Sequence, residues 1–287
     1  MIWLVGNKGM LGTDVQDLIE EQRWDYVATD NEVDITRPEK IESFTDNKRI
    51  DQIINCAAFT NVDSAESEKE KAMQVNAEGV KNLSRLARKK KASFIHISTD
   101  YVFDGKKTDP YKEDDRTHPL NVYGRSKLKG EHYIQKILRD FYIIRTAWLY
   151  GKNGNNFVHT MLKLFRTGDE IKIVSDQKGS PTYTRDLADC IIQIIKNRGK
   201  KCGIYHFTNE GITSWFDFAK KIYVLALKYN IIQKKIDLIP VSTEEYPLPA
   251  VRPENSSLSK KKIRDIFSLT IRPWQEALEE FIKELGQ

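Results

Sequence analysis

The chain has 287 residues, 40% of them hydrophobic and 30% charged, with a formal net charge of +5. That is enough for one large domain or two modest ones, with a composition ordinary for a soluble globular protein. No run of eighteen apolar residues occurs, so no membrane span is expected. Ile2-Trp3-Leu4-Val5 is an apolar run ending in glycine, as a buried parallel strand would be. It starts at once, with no charged and apolar leader before it, so a secretory signal is not expected. A helix follows with Leu11, Val15, Leu18 and Ile19 on one stripe. Tyr26 to Thr29 reads as a second strand and ends at Asp30. Thr36-Arg37-Pro38-Glu39 offers a capping box with an early proline, opening a helix that turns Ile41 and Phe44 inward. Gln52 to Ala57 is a strand, 64–90 is mostly helical, and Ser93 to Ser98 is another strand. Val122 to Arg139 is helical and Tyr142 to Arg145 is the next strand.

Strand and helix alternate throughout this half, which predicts an α/β fold with a doubly wound parallel sheet covered on both faces. The second half is less regular. Strands are expected at 171–174 and 204–207, and helices at 186–196 and 214–229. Pro240 to Asn255 holds four prolines and reads as an extended connection. Pro273 opens a final amphipathic helix with Trp274, Leu278, Phe281 and Ile282 apolar. The expected organisation is a dinucleotide-binding unit over 1–150 and a smaller, irregular substrate-binding unit over 151–287. Some segments of the second unit return to the first.

Cys56, Cys190 and Cys202 are far apart, odd in number and outside metal-ligand spacing, so they read as reduced thiols of a cytoplasmic protein. The five histidines read as structural, and no metal is expected. Basic clusters at Arg88-Lys89-Lys90-Lys91, Lys234-Lys235 and Lys260-Lys261-Lys262 lack interleaved aromatics. They read as solvated helix ends, not as a nucleic-acid surface.

Three elements carry chemistry. Gly6-Asn7-Lys8-Gly9-Met10-Leu11-Gly12 lies between the first strand and first helix. Glycines there permit a tight turn and a close approach of backbone to a pyrophosphate, and the helix start supplies amide donors. Asp30, at the end of the next strand, would meet ribose hydroxyls and repel a 2′-phosphate. That leans towards NADH, with NADPH kept open by basic neighbours. Thr99 and Asp100 follow the strand at 93–98, where a hydroxyl can reach a substrate carbonyl. Tyr123 and Lys127 stand four residues apart, so one helix face presents both. An ammonium beside a phenol lowers the phenol pKa, so the pair is expected to serve proton transfer near neutral pH.

With these residues the chain resembles the extended short-chain dehydrogenase/reductases, which carry a Rossmann domain. Several further stretches resemble the dTDP-4-dehydrorhamnose reductase subfamily in its order: 55–66, 98–103, 120–127, 145–151, 154–157, 176–182 and Arg252-Pro253. The resemblance implies an NADPH- or NADH-dependent reduction at C4 of dTDP-4-dehydro-6-deoxy-L-mannose, giving dTDP-L-rhamnose. It makes Thr99, Tyr123 and Lys127 catalytic. It implies a cofactor site of Gly6, Gly9, Met10, Leu11, Gly12, Asp30, Asp34, Ile35, Ala57, Ala58 and Phe59 with Tyr123 and Lys127. It places Thr99, Asp100, Trp148, Asn155 and Arg252 against the nucleotide sugar. Related 4,6-dehydratases have a glutamate where Tyr101 stands, which argues for simple keto reduction. The alternatives are a reductase of another nucleotide sugar, or a regulatory protein resembling the beta subunit of methionine adenosyltransferase. The partner expected is a small-molecule nucleotide sugar, with no nucleic acid or membrane, in a monomer or homodimer.

Overall fold

The computed structural model describes every residue except Arg198, Lys200 and Gln287. β1 (Ile2–Val5) is buried at every position. A strand buried on both faces needs helices on both. α1 (Met10–Glu21) covers one of them with Leu11, Val15, Leu18 and Ile19. β2 (Tyr26–Thr29) leads to α2 (Pro38–Thr45). The expected capping box does not form here. Pro38, with no N–H to satisfy and φ preset for a helix, takes the first helical position and leaves Arg37 as the cap residue. The Thr36 hydroxyl instead donates to Asp34 Oδ1 at 2.7 Å.

β3 (Gln52–Asn55) is followed by α3 (Val62–Ser67), α4 (Lys69–Met73), a π-helical turn at Gln74–Gly79, and α5 (Val80–Lys90). The sequence reads this stretch as one mostly helical run; the wide turn interrupts it. That turn faces Asn76 inward, where its Oδ1 accepts from Phe59 N at 2.8 Å and its Nδ2 donates to Phe59 O and Ser126 Oγ, each at 2.9 Å. Single π turns of this kind recur at functional sites. α5 ends in Arg88, Lys89 and Lys90, cations suited to the negative end of its dipole.

β4 (Ser93–Thr99) is wholly buried. α6 (Val122–Ile137) starts at Asn121, whose side chain accepts from Gly124 N at 2.8 Å. β5 (Phe141–Thr146) is followed by the short β6 (Leu149–Tyr150), α7 (Phe157–Thr167), β7 (Glu170–Val174), β8 (Lys178–Gly179), β9 (Thr182–Tyr183) and α8 (Thr184–Lys196). β10 (Gly203–His206), β11 (Thr213–Ser214), α9 (Trp215–Lys228), β12 (Asp237–Val241), α10 (Lys261–Phe267) and α11 (Trp274–Leu285) complete the chain. β12 pairs with β7 in parallel, so Pro240, expected in a connection, lies in a two-stranded sheet where its missing N–H costs little.

The main sheet has six parallel strands in the order β2-β1-β3-β4-β5-β10. The direction of winding reverses between β1 and β3, and a crevice opens at the carboxyl ends of these strands. One face is packed by Leu11, Val15, Leu187, Ile191, Tyr205 and Phe267, the other by Ile41, Val80, Leu83 and Ile134 around Trp3 and Phe94. A third cluster, with Tyr150, Phe165, Phe218, Leu278 and Phe281, forms the body of the second half.

Candidate active site

The crevice is a cavity of about 810 Å³ that runs from the glycine loop to Tyr123 and Trp148. At one end Gly6 turns the chain with φ of +82°. A Cβ on Gly12 would lie 2.0 Å from the Gly6 carbonyl oxygen, so only glycine lets the first turn of α1 tuck under the loop. Gly9 caps α1 without a side-chain hydrogen bond, and no acid stands in the first turn. These open amides at a helix N-terminus fit the pyrophosphate of a dinucleotide. Gly9, Met10, Leu11 and Gly12 line the cavity with Asp30, Asp34, Ile35, Ala57, Ala58 and Phe59.

The end of the cavity beside the glycine loop is acidic. Asp30 N donates to Glu32 Oε1 at 2.9 Å, and Asn31 Nδ2 donates to Asp30 Oδ2 at 3.1 Å. Asp34 is engaged by Thr36 N and Oγ1. The nearby cations are both exposed: Lys8 stands 3.7 Å from Glu32 and Arg37 stands 3.7 Å from Asp34.

At the far end β4 delivers Thr99 and Asp100 to the cavity, and α6 delivers Tyr123 and Lys127. Lys127 is buried, and its ammonium donates to Ile97 O at 2.6 Å. Burial pulls its pKa down to about 8, with Glu131, one turn along α6, opposing. The Tyr123 phenol differs from the expected lowering. Burial pushes its pKa up, and only the Thr99 hydroxyl beside it works in the other direction. Desolvation of the phenolate outweighs the Thr99 hydrogen bond, and the nearby Asp100 carboxyl adds to the rise. Tyr123 therefore rests protonated.

Asp100 is 3% exposed. Its Oδ1 accepts from Thr99 Oγ1 at 3.0 Å, and burial raises its carboxyl to about 6. Beneath this floor lies a fully buried ion pair. Arg145 donates to both oxygens of Glu131, at 2.9 and 2.7 Å, and Ser98 Oγ donates to Glu131 as well. Glu131 and Ser98 are thus tied together directly behind Thr99.

Trp148 has φ of +49°, a left-handed conformation rare for a bulky residue. Its indole stacks on Trp215 with centroids 3.5 Å apart and planes 9° from parallel. Both indoles and Asn155 line the cavity. Arg252 lies behind the Tyr101 wall. Its fork is engaged by Asp63, with Nη1 to Oδ1 at 3.1 Å and Nη2 to Oδ2 at 2.8 Å, and it is not among the lining residues. Tyr101, which does line the cavity, is its neighbour. Among the described residues no group of three or more His, Cys, Asp or Glu side chains could hold a metal.

Sequence reasoning missed Cys56, Asn76, Tyr101 as a wall residue, and Trp215. The Cys56 thiol lines the cavity and is pushed up to about 12 by burial, which makes it inert as a nucleophile. Trp215 opens α9 and read as one more apolar helix residue; nothing local announces that it meets Trp148.

The description "RmlD substrate binding domain" belongs to the family model that matches residues 1–287. The dTDP-4-dehydrorhamnose reductase of Aggregatibacter actinomycetemcomitans is 41% identical over 282 residues, covering 96% of each chain. The chain belongs to the dTDP-4-dehydrorhamnose reductase family. It is a family of NAD(P)H-dependent oxidoreductases with the extended short-chain dehydrogenase/reductase fold. The crystal structure of the Clostridium acetobutylicum member superposes with a TM-score of 0.93 at 39% identity, covering 100% of this chain and 99% of that one. The Bacillus anthracis member, solved in complex with NADP, has a TM-score of 0.92 at 38% identity, with 99% and 98% coverage.

Proposed function

We propose that this chain reduces the C4 keto group of dTDP-4-dehydro-6-deoxy-L-mannose to dTDP-L-rhamnose. The observation that carries this reading is the convergence of Thr99, Tyr123 and Lys127 at one end of a cavity whose other end is a dinucleotide-type glycine loop. A bound NADH or NADPH supplies the hydride. Tyr123, protonated at rest, gives its phenolic proton to the oxygen that becomes an alkoxide. Thr99 donates a hydrogen bond to the same oxygen, a contact that strengthens as negative charge develops. Lys127 holds the nicotinamide ribose and stabilises the phenolate that forms. Asp100, Trp148 and Asn155 orient the sugar. Trp215 supports Trp148 from the second half of the chain, residues 151–287, which acts mainly as the sugar-nucleotide unit. Arg252 serves the diphosphate through its place beside Tyr101, once its fork is shared with Asp63. The protein works in the cytoplasm, as a monomer or homodimer.

Tyr101, where a dehydratase would need a carboxylate, supports reduction over elimination. The test is a cofactor-oxidation assay with enzymatically generated dTDP-4-dehydro-6-deoxy-L-mannose. Absorbance loss with dTDP-L-rhamnose as product is expected. Tyr123→Phe should lower the rate by about 10²–10⁴-fold while NADPH binding persists. Tight cofactor binding with no oxidation would overturn the reading and favour another nucleotide sugar or a regulatory role.

A further inference from the structure

Among the described residues, the charged side chains that line the cavity are Asp30, Asp34 and Asp100 against Lys71 and Lys127. On the reading above a dinucleotide and a nucleotide sugar share this space, and each brings a diphosphate. The carboxyl groups outnumber the ammonium groups, so side-chain charge in the wall opposes the anions it must hold. Lys127 is buried and donates to Ile97 O at 2.6 Å. Lys71 is the lining cation that remains open to solvent, with its side chain 62% exposed.

Lys71 belongs to α4, and Val75, four residues further along, lines the cavity as well. The face of α4 that carries Lys71 is thus the one turned to the crevice. Its ammonium lies over the Phe59 ring, 5.5 Å from the centroid. Phe59 is a fixed platform, because Asn76 grips its backbone at both N and O. Just before it in the chain, Ala57 packs closely on the glycine loop: a Cβ on Gly6 would lie 2.6 Å from Ala57 N. Gly6, Ala57, Phe59 and Lys71 therefore form one continuous wall, with the glycine loop at one end and an ammonium on a flexible stem at the other.

The ammonium is paired with Glu68 at 3.0 Å, one turn back along the chain, and that carboxylate is itself 44% exposed. Exposed pairs at this spacing contribute little and weaken in salt. A diphosphate offers more oxygens and more charge than one carboxylate, so it competes well for the ammonium. We propose that Lys71 leaves Glu68 to clasp the pyrophosphate of the dinucleotide from the Phe59 side. Glu68 holds the side chain over the crevice until the nucleotide arrives, then releases it. This rests on the dinucleotide-binding part of the reading above and not on which sugar is reduced. Lys71 is then a binding residue and takes no part in the chemical step.

The experiment is titration calorimetry with NADPH and, separately, with dTDP, at low and high salt. The proteins are wild type, Lys71→Met, Lys71→Arg and Glu68→Gln. Methionine keeps an apolar stem over Phe59 and removes the charge. Lys71→Met should weaken NADPH by about three- to tenfold, while dTDP affinity is unchanged. Lys71→Arg should restore most of the loss. Glu68→Gln removes the competitor and should tighten NADPH by about two- to threefold, a gain that a purely structural lysine would not give. Wild-type affinity for NADPH should fall more steeply with salt than that of Lys71→Met. Unchanged NADPH affinity in Lys71→Met overturns the proposal. A loss confined to dTDP moves the contact to the nucleotide sugar and overturns the dinucleotide assignment. An equal loss for both ligands marks a long-range charge effect and overturns the contact. NADPH binding without turnover of the keto sugar in the wild type removes the reductase reading alone, since the Lys71 test reads binding.

Discussion

Arg145 Nη2 lies 2.7 Å from Glu131 Oε2 beneath the catalytic floor, with the two side chains 3% and 0% exposed. The guanidinium is bidentate, the geometry that gives an ion pair most of its strength. Through Ser98 the same carboxylate fixes the strand end that carries Thr99. Removing one partner of a buried pair strands the other charge. Glu131→Gln should therefore cost about 3–5 kcal/mol of stability. Equilibrium denaturation would read it as a lower midpoint; an unchanged midpoint would mean that Arg145 finds another partner.

Lys127 sits far below the usual lysine range, at about 8, because burial penalises its charge. Its ammonium predominates below that pH and is lost above it. If the charge holds the nicotinamide ribose, cofactor affinity should decline as pH rises through about 8. Lys127→Met should bind more weakly and show no such decline. Titration calorimetry or nucleotide fluorescence between pH 6 and 10 would decide it.

Asp100 makes stability itself depend on pH. Its folded-state pKa of about 6 exceeds its ordinary value of 3.8, so the native state holds the proton more tightly than the unfolded chain does. Stability is lost as pH rises through that window and is flat beyond it. The loss is on the order of 3 kcal/mol at most. Asp100→Asn should accordingly melt higher than wild type at pH 8, with the gap closing near pH 4. A gap that stays constant with pH would show that the carboxyl titrates normally.

Cofactor choice turns on the acidic end of the cavity. Asp30 lines that end, and its backbone N–H donates to Glu32 Oε1 at 2.9 Å. Asp30→Ala should shift preference towards NADPH, with the two cofactors compared by kcat/KM on one preparation. No shift would mean that the exposed Lys8 and Arg37 already govern that end.

Much of this was readable in the chain. The glycine loop, Asp30 and the Tyr123–Lys127 pair are local patterns, fixed by residues within a few positions of each other, and all of them line one cavity. What escaped was set by distance along the chain. Asn76 reaches Phe59 only because a π turn re-aims it, and no residue type announces that turn. Trp148 meets Trp215 across 67 positions, and Asp63 meets Arg252 across 189. Such meetings depend on the packing of whole elements. The spacing of Tyr123 and Lys127 is local and visible in the chain, but the burial that pushes the phenol pKa up depends on the packing around it.

The placement of β10 has a consequence for how the protein is made. β5 is flanked by β4 on one side and by Gly203–His206 on the other, so the nucleotide-binding sheet is not complete until residue 206 has left the ribosome. Until then β5 presents a bare row of backbone donors and acceptors to the cell. Chains cut short after β5 would carry every residue of the Thr99–Tyr123–Lys127 group and still expose a sticky sheet edge. Synthesis and folding are thereby coupled across the two halves, with the later half closing the sheet of the earlier one.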